Sequence, residues 1–496
     1  MLRRCLFVAL SAALLLGCGA PVNNPVTGRA ERTVLDEAGE IALGRKEHQQ
    51  VLQEYTALDN PRVQAYVNTL GQRLARQSHR SQLEWRFTVL DSPEINAFAL
   101  PGGYVYVTRG LMAYMESEAD LAGVLGHEIG HVTARHGAQR ATRQQDAGLG
   151  VLAATVLGAV LESRGVSGAG RVASEVSQTA AAGYVASYGR EQELQADTLG
   201  AEYLARVQFS PSTMVDVIRV LKNQELFAAE QARAQGRPAP AQNSWLASHP
   251  SNDQRLEAIG RLTAQYRGQY GDEGRARYLQ VIDGLPFGET AQQGLTRGRN
   301  FYHVGFGLAL TAPAQWAIQN APDRVLLVNA ARDAALVVRL APAGLGPSHD
   351  DVIRNLINPS SGRSERITLN GLSATQFTGV RAGAQGQAEP VVATVVSGPG
   401  SNRFVLLWSA RDNAALQRAR GALQEAQGSF RPLSAADRAD ARPWALRVAA
   451  LPPGGLAELV RRSPLDMAEQ QLRLINGIYG GGTLAPGQLV KFVDRQ

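Results

Sequence analysis

The feature that most constrains this chain is the segment His127-Glu128-Ile129-Gly130-His131, which stands in a stretch with helical spacing. Ser117, followed three residues later by Asp120, is typical of a helix N-terminus, and apolar residues recur on one face from there to residue 132. Side chains four residues apart lie on the same face of a helix. The sequence therefore predicts a helix over residues 117–135 whose two histidines can reach one metal ion.

This pattern of residue types indicates hydrolysis assisted by a metal ion. Neutral imidazole nitrogens suit zinc, and a catalytic zinc site needs three protein ligands and one open position. Zinc lowers the pKa of a bound water towards about 7, and Glu128 is placed beside the first histidine to accept the proton. We therefore expect one Zn²⁺ per chain and attack on a peptide carbonyl. The alternative is that the two histidines belong to an ordinary solvated helix face.

Candidates for the third zinc ligand lie downstream, on a second predicted helix at about 190–206. Glu191, Glu193 and Asp197 all offer carboxylates there, and the last two are four residues apart. One carboxylate can bind the metal while another accepts an N–H from a ligating histidine. Spacing alone does not choose among the three, nor does it exclude a plain solvated acidic face.

Four ordered motifs resemble the HtpX and CAAX-prenyl-protease-like family of gluzincin metallopeptidases, in particular its periplasmic branch typified by the beta-barrel assembly-enhancing protease. The motifs are Asn96-Ala97-Phe98-Ala99-Leu100-Pro101-Gly102-Gly103, the HExxH segment at 127–131, Glu193-Leu194-Gln195-Ala196-Asp197, and His249-Pro250 followed by Arg255. The resemblance covers about residues 36–265. It implies a mainly helical zincin domain with a small sheet, and endopeptidase activity.

The resemblance also implies a role for each motif residue. The implied roles are zinc ligand for His127, His131 and Glu193, general base for Glu128, and partner of a ligating histidine for Asp197. His249 and Arg255 are expected to polarise the carbonyl or stabilise the oxyanion, because cationic and N–H donors favour developing negative charge. In some relatives the residue equivalent to His249 instead occupies the open zinc position and silences the enzyme, so both roles stay open for it.

The N-terminus predicts export and a lipid anchor. Residues 1–17 combine two arginines with an apolar run too short to span a bilayer well, as in a signal peptide. Gly17-Cys18 resembles the bacterial lipoprotein cleavage box, in which the cysteine is acylated; the alternative is an ordinary secretory signal with a stray cysteine. Acyl chains on Cys18 would anchor the chain stably. Gly19 suggests the outer membrane by resemblance to known lipoproteins, and the residues that follow, to 35, are expected to form a tether.

Composition excludes several other classes of protein. Hydrophobic residues make up 44% and charged residues 19%, which is a globular composition, and no apolar run outside the N-terminus reaches the roughly 18 residues of a spanning helix. The net charge of +6 comes from scattered arginines, so we predict no nucleic-acid binding. The only cysteines are Cys5 and Cys18, which excludes cysteine catalysis and thiolate metal ligands in the exported chain.

The chain of 496 residues is long enough for roughly two to four domains. After about residue 268, short alternating strands replace the motif-bearing helices, which suggests a small α+β domain of unknown role. The fold prediction is therefore an α+β, multidomain protein. The predicted divisions are a signal peptide at 1–17, a lipidated cysteine and tether at 18–35, the metallopeptidase domain at 36–268, a connector at 269–299, the α+β domain at 300–436 and a terminal module at 444–496.

Two segments are candidates for contact with other molecules. Residues 147–161 are uncharged and mostly apolar, which predicts a buried helix or, alternatively, a flap that touches membrane or substrate. Residues 104–108 alternate as in a strand, to whose edge an extended peptide could add, although an ordinary core strand explains them equally well.

The terminal module at 444–496 resembles a LysM module. The resemblance depends on Asn476-Gly477 and on Leu484-Ala485-Pro486-Gly487-Gln488, which match that family's NG and PGQ signatures. Gly454-Gly455 stands where the family has Gly-Asp-Thr. Two roles are therefore open for this module, glycan binding and a terminal cap.

The expected function is a lipid-anchored, zinc-dependent endopeptidase at the outer membrane, facing the periplasm, that cleaves misfolded or stalled cell-envelope proteins. One alternative is a chaperone or scaffold with a latent protease site closed by His249. Another is a peptidoglycan-associated binding protein led by residues 444–496. The intact HExxH segment with its glutamate argues against a purely binding role.

Overall fold

The computed structural model describes residues 20–145, 188–234, 249, 253–321, 323–383 and 387–495. The chain divides into two compact units. The first comprises Met1–Ala232, Ala239–Leu285 and Leu446–Val493, and the second comprises Arg233–Pro238, Pro286–Ala445 and Asp494–Gln496. The C-terminal segment therefore belongs to the unit that contains the HExxH helix.

Helices dominate the first unit and strands the second, which confirms the predicted mixed α+β class. The strands are β1 (Ala20–Asn23), β2 (Ala30–Thr33), β3 (Arg86–Leu90), β4 (Ala97–Leu100), β5 (Tyr104–Thr108), β6 (Pro286–Phe287), β7 (Leu295–Arg297), β8 (Asn300–His303), β9 (Leu308–Thr311), β10 (Ala317–Ala321), β11 (Arg324–Val328), β12 (Ala334–Leu340), β13 (Pro359–Leu369), β14 (Leu372–Ala382), β15 (Ala388–Ser397), β16 (Arg403–Ala410), β17 (Arg431–Pro432), β18 (Trp444–Ala450) and β19 (Leu489–Arg495). The helices are α1 (Glu37–Glu54), α2 (Pro61–Ala75), α3 (Arg109–Tyr114), α4 (Glu118–Thr133), α5 (Arg190–Arg206), α6 (Thr213–Ala234), α7 (Asp253–Thr263), α8 (Arg275–Ile282), α9 (His349–Val352), α10 (Asn413–Gly428), α11 (Ala435–Asp440), α12 (Gly455–Arg462) and α13 (Ala468–Ile475).

A three-stranded sheet packs against helix α4 in the first unit. β5 lies at its centre, parallel to β3 and antiparallel to β4. The turn from β4 to β5 contains Gly102 and Gly103, whose φ angles of 81° and 101° favour glycine. Because β5 is paired on both sides, the idea that residues 104–108 offer a free edge to a peptide is wrong. The edge strands of this sheet are β3 and β4.

Helices α4 and α5 approach each other closely because small residues meet where they pack. Gly126 of α4 faces Gly200 of α5, and Gly130 faces Ala196. A Cβ added to Gly130 would lie 2.7 Å from the carbonyl oxygen of Ala196, which is shorter than real contacts of a Cβ. The glycines therefore permit the backbone approach that brings side chains of both helices to one point.

Residues 20–33 form a β-hairpin where the sequence predicted a tether. β1 pairs antiparallel with β2 along its whole length. Asn24, which follows β1, is buried, and its Nδ2 donates to Oε1 of Gln195 on α5 at 2.7 Å. The hairpin is thus bound to the unit that carries the HExxH helix. Cys18 and the predicted signal peptide lie outside the described residues.

The C-terminal segment runs through β18, α12, α13 and β19, and β18 pairs with β19. Lys491 on β19 is fully buried, with its Nζ 2.6 Å from Oε1 of Glu116, just before α4. Gln471 on α13 donates to the hydroxyl of Tyr114 at 2.7 Å. The segment is therefore packed onto the chain that leads into the HExxH helix. Its LysM character stays a prediction.

The second unit contains a seven-stranded antiparallel sheet in the order β10-β11-β12-β16-β15-β14-β13. Alternate residues of β15 enter opposite apolar clusters, since Val392 and Val396 pack in one and Val391 and Val395 in the other. Leu423 of α10 belongs to the first cluster. Residues of α9 and of the π-helical turn that follows it belong to the second cluster. The strands predicted here are confirmed.

The apolar segment 147–161 lies outside the described residues, so the predicted helix or flap is untested. Within the described ranges, no helix has the length and apolarity needed to cross a membrane.

Candidate metal centre

Four side chains from three parts of the first unit converge on one point. His127 and His131 come from α4, Glu193 comes from α5, and His249 precedes α7; one ligand atom of each lies within 4.8 Å of those of the others. All four residues are at most 2% exposed. The structure thus brings together the three predicted zinc ligands and adds a fourth donor to them.

Helix α4 positions the two histidines and Glu128 from a well-capped start. The hydroxyl of Ser117 accepts from the backbone N–H of Asp120 at 3.1 Å, as predicted. The carboxylate of Asp120 accepts from the backbone N–H of Glu116 at 2.8 Å, rather than from that of Ser117 as a capping box would require. The helix then turns His127 and His131 to the same side, towards α5.

His127 is held from behind by a carboxylate. Its Nδ1 lies 2.9 Å from Oδ1 of Asp197, one turn along α5 from the predicted ligand. Since an ionised carboxylate only accepts, Nδ1 carries the proton and Nε2 presents its lone pair to the cluster. Arg255 in turn binds both oxygens of Asp197, at 2.9 and 2.8 Å. These contacts are those that a partner of a ligating histidine would make, and the role that the resemblance implied for Asp197 stays a prediction.

His131 has different neighbours. Its Nδ1 lies 2.8 Å from Nδ1 of His136, and the ring of Tyr188 stacks on it with centroids 4.1 Å apart. Tyr188 also lies near His249, with ring centroids 5.3 Å apart. Burial raises the pKa of Tyr188 well above its usual range, so its phenol stays protonated at neutral pH.

Burial keeps His131, His136 and His249 neutral. It is the largest cause that lowers the pKa of His249 to about 3 and that of His136 to about 4. Burial also lowers the pKa of His131 well below its usual range, and the neighbouring histidines add to the effect. Neutral imidazoles are the form that binds metal.

The two carboxylates of α5 are shifted in opposite directions. Burial raises the pKa of Glu193 to about 7, against the opposing charge of Arg255. Burial also acts to raise the pKa of Asp197, but the charge and hydrogen bonds of Arg255 and the bond from His127 hold it below its usual range. A cation at the cluster would therefore stabilise the ionised form of Glu193, the carboxylate that faces it.

The remaining predicted residues also lie at the cluster. Glu128 is 1% exposed, and its Oε1 is 3.6 Å from Nε2 of His249. Nδ1 of His249 is 3.2 Å from Nε2 of His127 and 3.1 Å from Oε1 of Glu193. The guanidinium of Arg255 contacts Glu193 at 2.8 Å as well as Asp197. His249 therefore stands among the ligand atoms, and Arg255 stands behind them.

The donor set and its spacing fit a zinc ion. Two imidazole nitrogens and a glutamate oxygen form a known catalytic zinc ligand set. Donors about 2.0–2.1 Å from one tetrahedral ion lie about 3.3–3.4 Å apart. The contacts between donor atoms at this cluster range from 3.0 Å, between Nε2 of His127 and His131, to 3.6 Å, between His127 and Glu193.

Sequence reasoning missed three contributors to this centre. The sequence analysis gave no part in the site to His136, Tyr188 or Gln195, yet all three contact the predicted ligands or their neighbours. The signal available was weak: His136 follows the HExxH segment by five residues, and Gln195 lies within the ExxAD motif. Tyr188 carried no pattern that could be recognised.

Comparison with known proteins gives a family for this part of the chain. Residues 61–263 match the model of Peptidase family M48. The matched range includes the HExxH helix α4, helix α5, His249 and Arg255. The predicted relationship to this group of metallopeptidases is confirmed.

Three relatives illustrate the similarity. The chain is 31% identical over 287 residues to the beta-barrel assembly-enhancing protease of Yersinia pestis, covering 54% of this chain and 57% of that one. It is 29% identical over 261 residues to the protein of that name from Escherichia coli, covering 51% of each. It is 29% identical over 252 residues to the mitochondrial metalloendopeptidase OMA1 of Bos taurus, covering 49% of this chain and 46% of that one. The chain thus spans about half the length of the curated relatives it matches.

Proposed function

We propose that this chain, whose residues 61–263 form a domain of peptidase family M48, is a zinc-dependent endopeptidase. One observation carries the proposal: His127, His131 and Glu193 each present a donor atom to a common point. Zinc at that point would supply a water of lowered pKa and a Lewis acid for the peptide carbonyl. The other steps depend on side chains of the chain itself.

Glu128 moves the proton in this proposal. It lies on α4 next to the ligand His127 and within the same buried cluster. Its carboxylate accepts a proton from the attacking water and then delivers it to the leaving amine. General acid–base catalysis of this kind contributes about 10²–10⁴-fold to the rate.

Arg255 is best described as a positioning residue. Its guanidinium binds Asp197 through two hydrogen bonds and also contacts Glu193. These contacts hold one zinc ligand directly and a second through Asp197. The part in oxyanion stabilisation that the family resemblance implied for Arg255 stays a prediction.

The position of His249 supports a second function, a latent protease. Its Nδ1 lies 3.2 Å from Nε2 of His127 and 3.1 Å from Oε1 of Glu193, close to the spacing between two ligand atoms of one zinc ion. A tetrahedral zinc that also bound this histidine would have four protein ligands. Zinc sites with four protein ligands are typically structural, whereas catalytic sites keep one position open. We propose that His249 holds the site closed until it moves away.

Substrate and location follow from relatives and from the N-terminal sequence. Relatives named beta-barrel assembly-enhancing protease support protein substrates in the cell envelope. We propose that the substrates are misfolded or stalled envelope proteins and that Cys18 is acylated and anchors the chain in the outer membrane, facing the periplasm. Binding of residues 444–496 to peptidoglycan is the further partner that the sequence suggests.

The test of the endopeptidase is metal content and casein cleavage of the full chain purified in detergent, beside Glu128→Gln. We expect one zinc per chain in both proteins and a loss of about 10²–10⁴-fold in cleavage for the variant. Glu191→Gln is the matched control. Glu191 is exposed on α5, so this variant makes the same chemical substitution outside the donor cluster. Full cleavage by Glu128→Gln, or a chain without zinc, would refute the proposal.

A further inference from the structure

The turn after β1 orients a buried amide. Oδ1 of Asn24 accepts hydrogen bonds from the backbone N–H groups of Val26 and Thr27, at 2.9 and 3.2 Å. Because a backbone N–H can only donate, the oxygen of the Asn24 amide must face the turn. Its nitrogen therefore faces α5, where Nδ2 donates to Oε1 of Gln195 at 2.7 Å.

The orientation of the Gln195 amide determines which nitrogen of His136 carries a proton. The same Oε1 lies 3.0 Å from Nε2 of His136. An amide oxygen only accepts, so His136 carries its proton on Nε2. His136 is fully buried, which disfavours a charged ring, and its two ring nitrogens face Oε1 of Gln195 and Nδ1 of His131, both within 3.0 Å. The ring is therefore neutral, and its Nδ1 has a lone pair.

His136 in turn determines which nitrogen of His131 is free. The two Nδ1 atoms lie 2.8 Å apart. Since Nδ1 of His136 can only accept, Nδ1 of His131 donates, and its Nε2 keeps the lone pair. That Nε2 is the atom that lies 3.0 Å from Nε2 of His127, within the donor cluster.

We propose that Asn24 is a positioning residue that sets the metal-binding tautomer of His131 through two intervening side chains. The proposal depends on the zinc site proposed above. The two histidine ligands are then supported differently, His127 by a carboxylate and His131 by a chain of neutral groups that ends in the N-terminal hairpin. The hairpin is part of the metal site rather than only the start of a linker.

Asn24→Asp separates this relay from simple packing. The new carboxylate has nearly the same shape and still accepts from the two turn N–H groups, but it cannot donate to Gln195. The Gln195 amide must then turn its nitrogen towards the hairpin and His136. His136 is forced to hold its proton on Nδ1, opposite the proton of His131, so the proton of His131 moves to Nε2 and blocks the metal ligand.

The experiment is the zinc affinity of the full chain in detergent, measured by competition with a chromogenic chelator. We expect Asn24→Asp to weaken zinc binding about 10–100-fold, which is the range known for loss of a partner of a metal-binding histidine. Asn24→Ala should weaken zinc binding less than Asn24→Asp does. Asn23→Asp is the matched control, because Asn23 is exposed one residue away, and its affinity should stay within about twofold.

A second pair keeps the test decisive if the Asn24 variants do not fold. Gln195→Glu retains the acceptor for His136 and should bind zinc within about threefold of the unchanged chain, whereas Gln195→Leu removes it and should lose about tenfold. Equal zinc affinity in Gln195→Leu and Gln195→Glu, or equal losses in Asn23→Asp and Asn24→Asp, would overturn the relay alone. A chain that bound no zinc at all would overturn the relay together with the endopeptidase.

Discussion

At the scale of single residues, the role of His249 determines whether the proposed zinc site has three protein ligands or four. Its imidazole is neutral at physiological pH, since burial lowers its pKa to about 3. A neutral imidazole has one nitrogen that can bind zinc and one N–H that can donate to an oxyanion, so its chemistry allows both roles. The two roles that the sequence left open for it predict opposite effects of the same substitution.

We expect His249→Ala to raise casein cleavage about tenfold while one zinc per chain is retained. Removal of the fourth donor leaves three ligands and one open position, and a tenfold change corresponds to about 1.4 kcal/mol. The measurement is the initial rate of casein cleavage together with metal content. His349→Ala in the second unit is the control and should leave the rate unchanged. A lower rate in His249→Ala would mean that this histidine serves catalysis.

Among elements, the pair of helices α4 and α5 builds the site. The predicted site residues and the small residues repeat with the same four-residue spacing on both helices: His127 and His131 beside Gly126 and Gly130, and Glu193 and Asp197 beside Ala196 and Gly200. The periodicity of the ligands was readable from the sequence. The matching periodicity of the small residues was equally visible, but its meaning depends on which helix lies opposite.

Gly130→Ala is expected to push the two helices apart. The new Cβ would meet the Ala196 carbonyl at 2.7 Å, so the backbone must shift, at a cost of about 1–3 kcal/mol and with weaker zinc binding. Chemical unfolding and chelator competition measure the two effects.

Gly260→Ala is the matched control for this change. Gly260 lies in α7 of the same unit, and an added Cβ there meets nothing within 4 Å. The control should gain about 0.5–1 kcal/mol from helix propensity and keep its zinc affinity. If Gly130→Ala behaved like this control, close packing would not be what positions Glu193.

At the scale of the whole molecule, the chain leaves its first unit and returns to it at Leu446–Val493. Residues 446–493 pack against the residues that precede α4 through Lys491, which is fully buried beside Glu116 and also donates to the carbonyl of Met115 at 2.6 Å. Arg275 on α8 binds the same glutamate at 2.9 Å. The C-terminal segment is thus packed into the first unit through a buried ion pair.

Lys491→Met should therefore destabilise the peptidase unit rather than only the C-terminal segment. Loss of one partner of a buried ion pair costs about 3 kcal/mol, which lowers the unfolding midpoint by about 5–10 °C. Thermal unfolding, followed by loss of zinc and of casein cleavage, reports on this unit. Lys46→Met is the control, because Lys46 is exposed on α1, and its midpoint should not change. Equal midpoints for the two variants would mean that the segment is an independent module.

The sequence alone determined the helices and the chemistry of the site, because both depend on short-range spacing: HExxH at 127–131, the carboxylates at 193 and 197, and the alternating strands after residue 268. It could not place Glu193 opposite the histidines without a family resemblance, since that contact joins residues far apart in the chain. Only the tertiary structure decided that His249 stands among the donor atoms, that Asn24 of the hairpin at 20–33 donates to Gln195, and that Lys491 of β19 pairs with Glu116. These arrangements depend on buried hydrogen bonds and ion pairs between distant segments, and such contacts leave no periodic pattern in the sequence.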